Sequence, residues 1–104
     1  MTDNKIIHTL IQEELAEANK IHPLFQSDHE AYAVILEELE EVEEEILQIR
    51  KLMDEMWHRI RNDWGIEDVL KKMKVHGVYA TQENIQFDAM CQKALDSLYK
   101  EGKK

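Results

Sequence analysis

The stretch YAVILEELEEVEEEILQIRKLMDEMWHRI, residues 32–60, decides the fold of this chain. Its apolar residues recur at alternating intervals of three and four, which is an unbroken 3.5-residue repeat over about four heptads. A repeat of this kind is typical of a helix that packs lengthwise against other helices. We call the set the heptad stripe and expect it to be buried. Its members are Tyr32, Ile35, Leu39, Val42, Ile46, Ile49, Met53, Met56 and Ile60.

Signals for the start and the end of a helix flank this stretch. Ser27 is followed three residues later by Glu30, a capping-box pattern that places the helix start at Asp28. The NDWG segment at 62–65 predicts the end, with Gly65 as a left-handed C-cap. A continuous helix of this length spans roughly 50 Å at ~1.5 Å per residue. Since a single small chain does not cover so long a helix, we expect a second chain to pack against it.

A shorter helix is expected before this one, from about Asp3 to Ile21. Its apolar residues fit one face at helical spacing, and either Thr2 or Asp3 can cap its start. Pro23 then breaks the chain.

The remaining segment, from Ile66 to about Lys100, again shows helical periodicity. Gly77 leaves open a kink or a division, and Thr81 would cap a new start. We expect one long helix. The sequence thus predicts a single all-α domain over residues 1–104, a bundle of long antiparallel helices completed by oligomerisation.

Composition limits the function. The formal charge of −9 argues against direct nucleic-acid binding, because a phosphate backbone requires a basic surface. It is compatible with divalent cations, basic protein partners or plain solubility. The single Cys91 excludes an internal disulfide and suits a reducing compartment. No apolar run approaches the ~20 residues of a membrane span. We therefore expect a cytoplasmic protein without membrane contact.

The acidic segment EELEEVEEE, residues 37–45, carries seven carboxylates in nine positions. Neighbours at i,i+3 and i,i+4 are like-charged, so self-repulsion costs the helix on the order of 2 kcal/mol. The first cations downstream are Arg50 and Lys51. Water, a partner or a metal can hold this charge in place. Three carboxylates within ~5–6 Å on one helix can share a hard divalent cation such as Mg²⁺.

Two blocks of the sequence carry a family resemblance. Glu37-Glu38-Leu39-Glu40-Glu41 matches an EExxE motif, within the block SDHEAYAVILEELEEVEEEI at 27–46. A second block, ENIQFDAM, follows at 83–90. Together they resemble small phage- and prophage-encoded members of the MazG-like all-α nucleoside triphosphate pyrophosphatase superfamily. The similarity extends over about residues 20–100.

The resemblance implies a helical bundle within a homodimer or homotetramer, with Mg²⁺ or alternatively Mn²⁺ as cofactor. Such a protein hydrolyses a nucleoside triphosphate to the monophosphate and pyrophosphate. The implied metal ligands are Glu37, Glu38, Glu41 and Glu83, and the implied catalytic carboxylates are Glu38 and Glu41. One departure is plain: Gln86 stands where the family's ExxD motif has its aspartate. A neutral amide there weakens a Mg²⁺ site.

Other functions remain open on the sequence. The chain can be a non-catalytic helical phage protein that acts as an acidic binding or interaction module. Glu55 and His58 form ExxH, half of a di-iron bundle motif, which a symmetric second copy would have to complete. Cys91 lies on an apolar stripe and is interpreted as a structural thiol. Basic residues, concentrated in 50–74, are expected to be solvated or paired across helices. Three aromatic side chains are expected in the core or at an interface: Trp57, Trp64 and Tyr79.

Overall fold

The computed structural model describes residues 3–100, so the candidate cap Thr2 lies outside the described residues. It consists of three helices, α1 (Asn4–Ala18), α2 (Asp28–Arg61) and α3 (Glu67–Lys100). No strand occurs between residues 3 and 100. The all-α prediction is confirmed. The two long helices, of 34 residues each, pack against each other as an antiparallel hairpin, and α1 packs on α3.

The start of α2 follows the predicted capping pattern with one variation. The Ser27 backbone is extended, and its hydroxyl accepts a hydrogen bond from the Glu30 N–H at 3.1 Å. The Glu30 carboxylate reaches back to accept from the Gln26 N–H at 3.0 Å, one residue beyond the cap itself. These bonds satisfy donors that the first turn of a helix leaves free. Asp3 caps α1, where its carboxylate accepts a hydrogen bond from the Lys5 N–H at 2.7 Å.

The prediction of Gly65 as a left-handed C-cap is wrong. The left-handed residue is Asp63, with φ 55°, and a short polar side chain tolerates this conformation. The Trp64 N–H donates to the Arg59 carbonyl at 2.9 Å, and the Asp63 N–H donates to the Ile60 carbonyl at 3.2 Å. This pair of bonds is a Schellman motif, which ends α2 at the predicted place through a different residue.

Arg59 clamps the corner between the long helices. Its guanidinium donates to the Asp68 carboxylate at 2.6 Å and to the Gly65 carbonyl at 3.3 Å. It also pairs with Glu55 one turn earlier at 2.8 Å. Val69 is fully buried nearby at the start of α3. One of the basic residues is therefore paired across helices, as expected.

The long helix α3 is not divided. It continues through Gly77, and the Thr81 hydroxyl donates to the Gly77 carbonyl at 2.9 Å as an internal helical residue. The main core lies at one end of the hairpin, where α1, the start of α2 and the second half of α3 meet. Its buried members are Ile11, Leu15, Phe25, Ala31, Ala89 and Met90.

The heptad stripe divides into two columns with different environments. One column, with members seven residues apart, is half-buried: Ile35, Val42, Ile49 and Met56. The other column is exposed in the single chain: Tyr32, Leu39, Ile46, Met53 and Ile60. Within one chain, five of the nine members of the heptad stripe are therefore not buried, and their burial against the expected second chain stays a prediction. The three aromatic side chains expected in the core or at an interface, Trp57, Trp64 and Tyr79, are also exposed in the single chain.

None of the three described helices combines the length and the apolar composition that crossing a membrane requires.

Candidate metal centre

Three carboxyl groups meet between the two long helices. Glu38 and Glu41 come from α2, and Glu83 comes from α3. One oxygen atom of each lies within 4.8 Å of the others. Residues three apart on a helix share a face, which brings Glu38 and Glu41 together. The antiparallel packing of α3 then places Glu83 opposite them. We call these three residues the glutamate cluster.

The structure brings together three of the four predicted metal ligands. The fourth, Glu37, is exposed and is not among the residues whose carboxyl oxygens converge. It precedes Glu38 by one position and therefore lies about 100° away around the helix. Its influence on the cluster is electrostatic, because its charge is one of the causes that raise the pKa of Glu38.

Hydrogen bonding, burial and like charges raise the pKa values of Glu83 and Glu38. The pKa of Glu83 rises to about 7, first through its hydrogen bond with Glu41, then through burial and the charges of Glu41, Glu38 and Glu45. Burial raises the pKa of Glu38 as well, followed by the charges of Glu41 and Glu37. A hydrogen bond between two carboxyl groups requires a proton on one of them. Without a cation, the Glu41–Glu83 pair therefore retains a proton close to neutral pH.

Gln86 lies within the cluster, one turn after Glu83 on α3. With its amide nitrogen directed at the carboxylates, it donates to Glu83 Oε2 at 3.1 Å and to Glu38 Oε2 at 3.3 Å. Position 86, where the family's ExxD motif has its aspartate, thus lies beside two of the three carboxylates. Sequence reasoning treated Gln86 only as a weaker metal ligand. It missed that an amide also supplies N–H donors, which stabilise carboxylates directly.

The other carboxylates of the acidic segment have separate surroundings. Glu45 Oε2 lies 2.7 Å from His76 Nδ1 across the helix pair. Glu44 accepts a hydrogen bond from the Gln48 amide at 3.0 Å. The rest are exposed: Glu37, Glu40 and Glu43. Sequence reasoning missed His76, although its spacing of seven residues before Glu83 places both on the same face of α3.

The other candidate sites gain no support within the described residues. Glu55 is paired with Arg59, while the His58 ring packs edge-on against Trp64 at 5.4 Å. The two halves of the ExxH motif therefore have separate partners.

Burial, followed by the charge of Asp88, raises the pKa of the half-buried Cys91 thiol. A raised thiol pKa disfavours the reactive thiolate, which agrees with a structural role.

The donor set of the glutamate cluster fits a hard divalent cation. Three carboxylates supply only oxygen, and Mg²⁺ binds through a few carboxylates while keeping several waters. Glu38 and Glu83 are half-buried, whereas Glu41 is exposed. The cluster is therefore accessible from one side to a larger ligand such as a phosphate group.

Comparison of the chain with protein-family models, with curated proteins and with solved structures found no match. The resemblance to the MazG-like superfamily therefore stays a prediction, and the function is argued from the glutamate cluster.

Proposed function

We propose that this chain is a Mg²⁺-dependent protein of the nucleoside triphosphate pyrophosphohydrolase type, which converts a triphosphate to its monophosphate and pyrophosphate. The observation that carries the proposal is the convergence of Glu38, Glu41 and Glu83 within 4.8 Å across two helices. Two of these residues belong to the EExxE motif, and the third begins the second matching block. Chance acidity along α2 does not account for a carboxylate from α3 at the same point.

In this proposal the three carboxylates of the glutamate cluster share the cation, and two of them have a further role. Glu38, Glu41 and Glu83 would hold the cation, Mg²⁺ or alternatively Mn²⁺. A bound divalent cation neutralises phosphate charge and lowers the pKa of bound water. Glu41 is exposed, so it can reach a proton on an attacking water as general base. Glu38 is half-buried and positions the site from the α2 side.

A second candidate function rests on Gln86. Because its amide donates to Glu83 and Glu38, the chain already supplies part of the stabilisation that a cation would give. This favours a non-catalytic acidic module with the same fold, which binds a cation or a basic partner without hydrolysis. The two candidates differ in turnover rather than in fold. In both, we expect a homodimer or a homotetramer.

The test compares cation binding with nucleotide turnover. Isothermal titration calorimetry with Mg²⁺ and with Mn²⁺ is applied to the native chain and to Glu38→Gln/Glu41→Gln. The matched control is Glu40→Gln/Glu44→Gln, which removes the same charge from exposed positions of the same helix. We expect binding by the native chain and the control, and none by the cluster variant.

Turnover is measured on canonical and modified nucleoside triphosphates with Mg²⁺, by following monophosphate and pyrophosphate together. Hydrolysis that is lost in the cluster variant and kept in the control supports the pyrophosphohydrolase proposal. Cation binding without hydrolysis of any nucleotide supports the non-catalytic module. If the native chain and the cluster variant bind cations equally weakly, both versions of the proposed site are wrong.

A further inference from the structure

One side of α2 presents two neighbouring columns of side chains that the single chain leaves uncovered. Residues four apart on a helix lie about 40° apart, so the two columns form one face. The first column is the exposed half of the heptad stripe, and its five members are 40–70% exposed: Tyr32, Leu39, Ile46, Met53 and Ile60. The second column, also at intervals of seven, consists of Leu36, Glu43, Arg50 and Trp57, all of them exposed. We call the two columns the open face of α2.

The open face differs from the side of α2 that contacts α3. That side carries Glu38, Glu41 and Glu45, which meet partners on α3. On a helix with about 100° per residue, Leu39 and Ile46 of the first column lie about 100° from the preceding Glu38 and Glu45, and the second column lies about 140–160° from them. The open face also borders a groove lined by Ile46 of α2, by Ile7 of α1 and by Ile85 of α3. Its apolar surface therefore continues onto the other helices.

The exposed apolar area is large enough for a stable interface. Seven large apolar side chains of the open face together expose on the order of 800 Å², close to the ~800 Å² that each partner buries in a standard interface. From Tyr32 to Ile60 the face extends ~42 Å along the helix. Apolar patches of more than a few hundred Å² on a protein surface mark sites of interaction.

Two copies of the second column are complementary to each other when they run in opposite directions. Read forwards it is apolar, acidic, basic and apolar, in the order Leu36, Glu43, Arg50 and Trp57. Opposed to a reversed copy, Glu43 faces Arg50, and Leu36 faces Trp57. The first column is apolar throughout, so the same reversal places Ile46 opposite Ile46 and Leu39 opposite Met53. Both columns match in nearly the same register, with the two-fold axis close to Ile46.

We propose that two copies of this chain dimerise through the open face, with their α2 helices antiparallel and crossing near Ile46. Each dimer then contains two Glu43–Arg50 pairs across the interface. The acidic half of one α2 lies beside the more basic half of the other, which relieves part of the repulsion in residues 37–45. A parallel arrangement would instead place Glu43 beside Glu43, which is repulsive.

The proposal specifies the face and the direction of the self-association expected above, and it does not depend on nucleotide hydrolysis or on cation binding. The glutamate cluster is complete within one chain and lies on another side of α2, so the loss of dimerisation and the loss of cation binding are separate outcomes.

Exchanging the charges of Glu43 and Arg50 tests whether the partner is a second copy and whether the two α2 helices are antiparallel. The association state is measured by sedimentation equilibrium at micromolar concentration for the native chain, Glu43→Arg, Arg50→Glu and the combination of the two. We expect a dimer for the native chain and a dissociation constant raised by about tenfold or more in each single variant, because like charges then face each other. The combination should restore the dimer. Matched controls are Glu44→Arg and Lys51→Glu, one position along and turned away from the open face, which should leave the dimer unchanged.

Cross-linking tests the register directly. Leu39→Cys and Met53→Cys are made separately in a Cys91→Ser background and treated with a short thiol-specific cross-linker. The antiparallel register predicts no cross-link in either variant alone and efficient cross-linking when the two variants are mixed. The Cys91→Ser chain alone is the blank.

Three results would overturn the proposal. A native chain that is monomeric at high micromolar concentration would show that a second copy does not cover the face. Cross-linking of Leu39→Cys to itself would show a parallel arrangement. A dimer that neither single charge reversal weakens would place the interface elsewhere on the molecule.

Discussion

Glu83→Gln should stabilise the chain at alkaline pH and have little effect at acidic pH, in the absence of divalent cations. The pKa of Glu83 is raised from its ordinary value of 4.5 to about 7, because it shares a hydrogen bond with Glu41 among like charges. The folded chain therefore binds this proton more tightly than the unfolded chain does. The stability that the proton contributes is fully present below pH 4.5 and is lost as the pH rises through about 7. Glutamine is neutral at every pH, so the variant does not lose this stability when the pH rises.

The magnitude follows from the difference between the two pKa values. A rise from 4.5 to about 7 corresponds to an upper limit of ~3 kcal/mol in the free energy of unfolding. Glu83 lies near the surface of the helix pair, and solvent screening reduces this limit to ~1–2 kcal/mol. Each kcal/mol changes the melting temperature of a domain of this size by about 4–8 °C. The gain from Glu83→Gln should therefore be at least about 4 °C near pH 8 and close to zero near pH 4.

Urea and thermal unfolding followed by far-UV circular dichroism measure this difference, at one fixed protein concentration and with a chelator present. Glu40→Gln is the matched control, since it removes one exposed charge from α2 without touching the cluster. Adding Mg²⁺ should make the native chain more stable than Glu83→Gln, because the native chain gains stability by mass action and the variant does not. A loss of stability in Glu83→Gln at both pH values would refute the reasoning. It would show that the ionised carboxylate makes a favourable bond within the protein.

Three further predictions concern single side chains. Gln86→Asp should raise Mg²⁺ affinity by about tenfold in calorimetry and lower the melting temperature in chelator, since it replaces an N–H donor by a further charge; unchanged affinity would place the cation away from position 86. Ser97→Ala should cost ~1–3 kcal/mol in urea unfolding, because the buried Phe25 N–H then loses its acceptor at 2.8 Å, and an effect below ~0.5 kcal/mol would contradict this. Cys91 should react with iodoacetamide more slowly in the folded chain than in urea at neutral pH, since burial and Asp88 raise its pKa; equal rates would contradict the structural assignment.

The fold could be predicted from the sequence because its strongest signals are local. A 3.5-residue repeat and the Ser27–Glu30 cap depend only on residues a turn or two apart, and both indicated α2 with its start at Asp28. The C-cap was misassigned for a related reason. Gly65 has the greater intrinsic freedom, but the Schellman bonds of this corner require the left-handed residue two positions earlier, at Asp63.

The side of α2 that receives α3 could not be predicted. A heptad repeat marks two apolar columns on adjacent sides of a helix, and both are equally apolar in this sequence. The side of α2 that faces α3 carries Glu38 and Glu45. The half-buried column of the heptad stripe lies next to this side, and the exposed column lies farther from it. The periodicity is a statement about one helix, whereas the choice of face depends on what the other helices present.

The glutamate cluster was expected from the resemblance to the MazG-like superfamily, whereas the groups that contact it were not expected. The spacing of carboxylates along α2 is visible in the sequence and brought Glu38 and Glu41 together, while Glu83 was implied only by the resemblance of the second block. The partners that α3 offers to α2 are remote along the chain: Gln86 follows Glu38 by 48 residues, and His76 follows Glu45 by 31. Nothing local specifies such contacts.

The acidic segment is tolerated because its charge is divided among different sides of one helix. Toward α3, Glu41 shares a proton with Glu83. Glu38 accepts a hydrogen bond from the Gln86 amide, and Glu45 lies beside His76. On the open face, Glu43 faces Arg50 of a second copy in the dimer that we propose. Each of these arrangements lowers the repulsion by a different means, so no single substitution should relieve all of it. This is why Glu83→Gln and Glu43→Arg should affect different measurements, the first changing the pH dependence of unfolding and the second the association state.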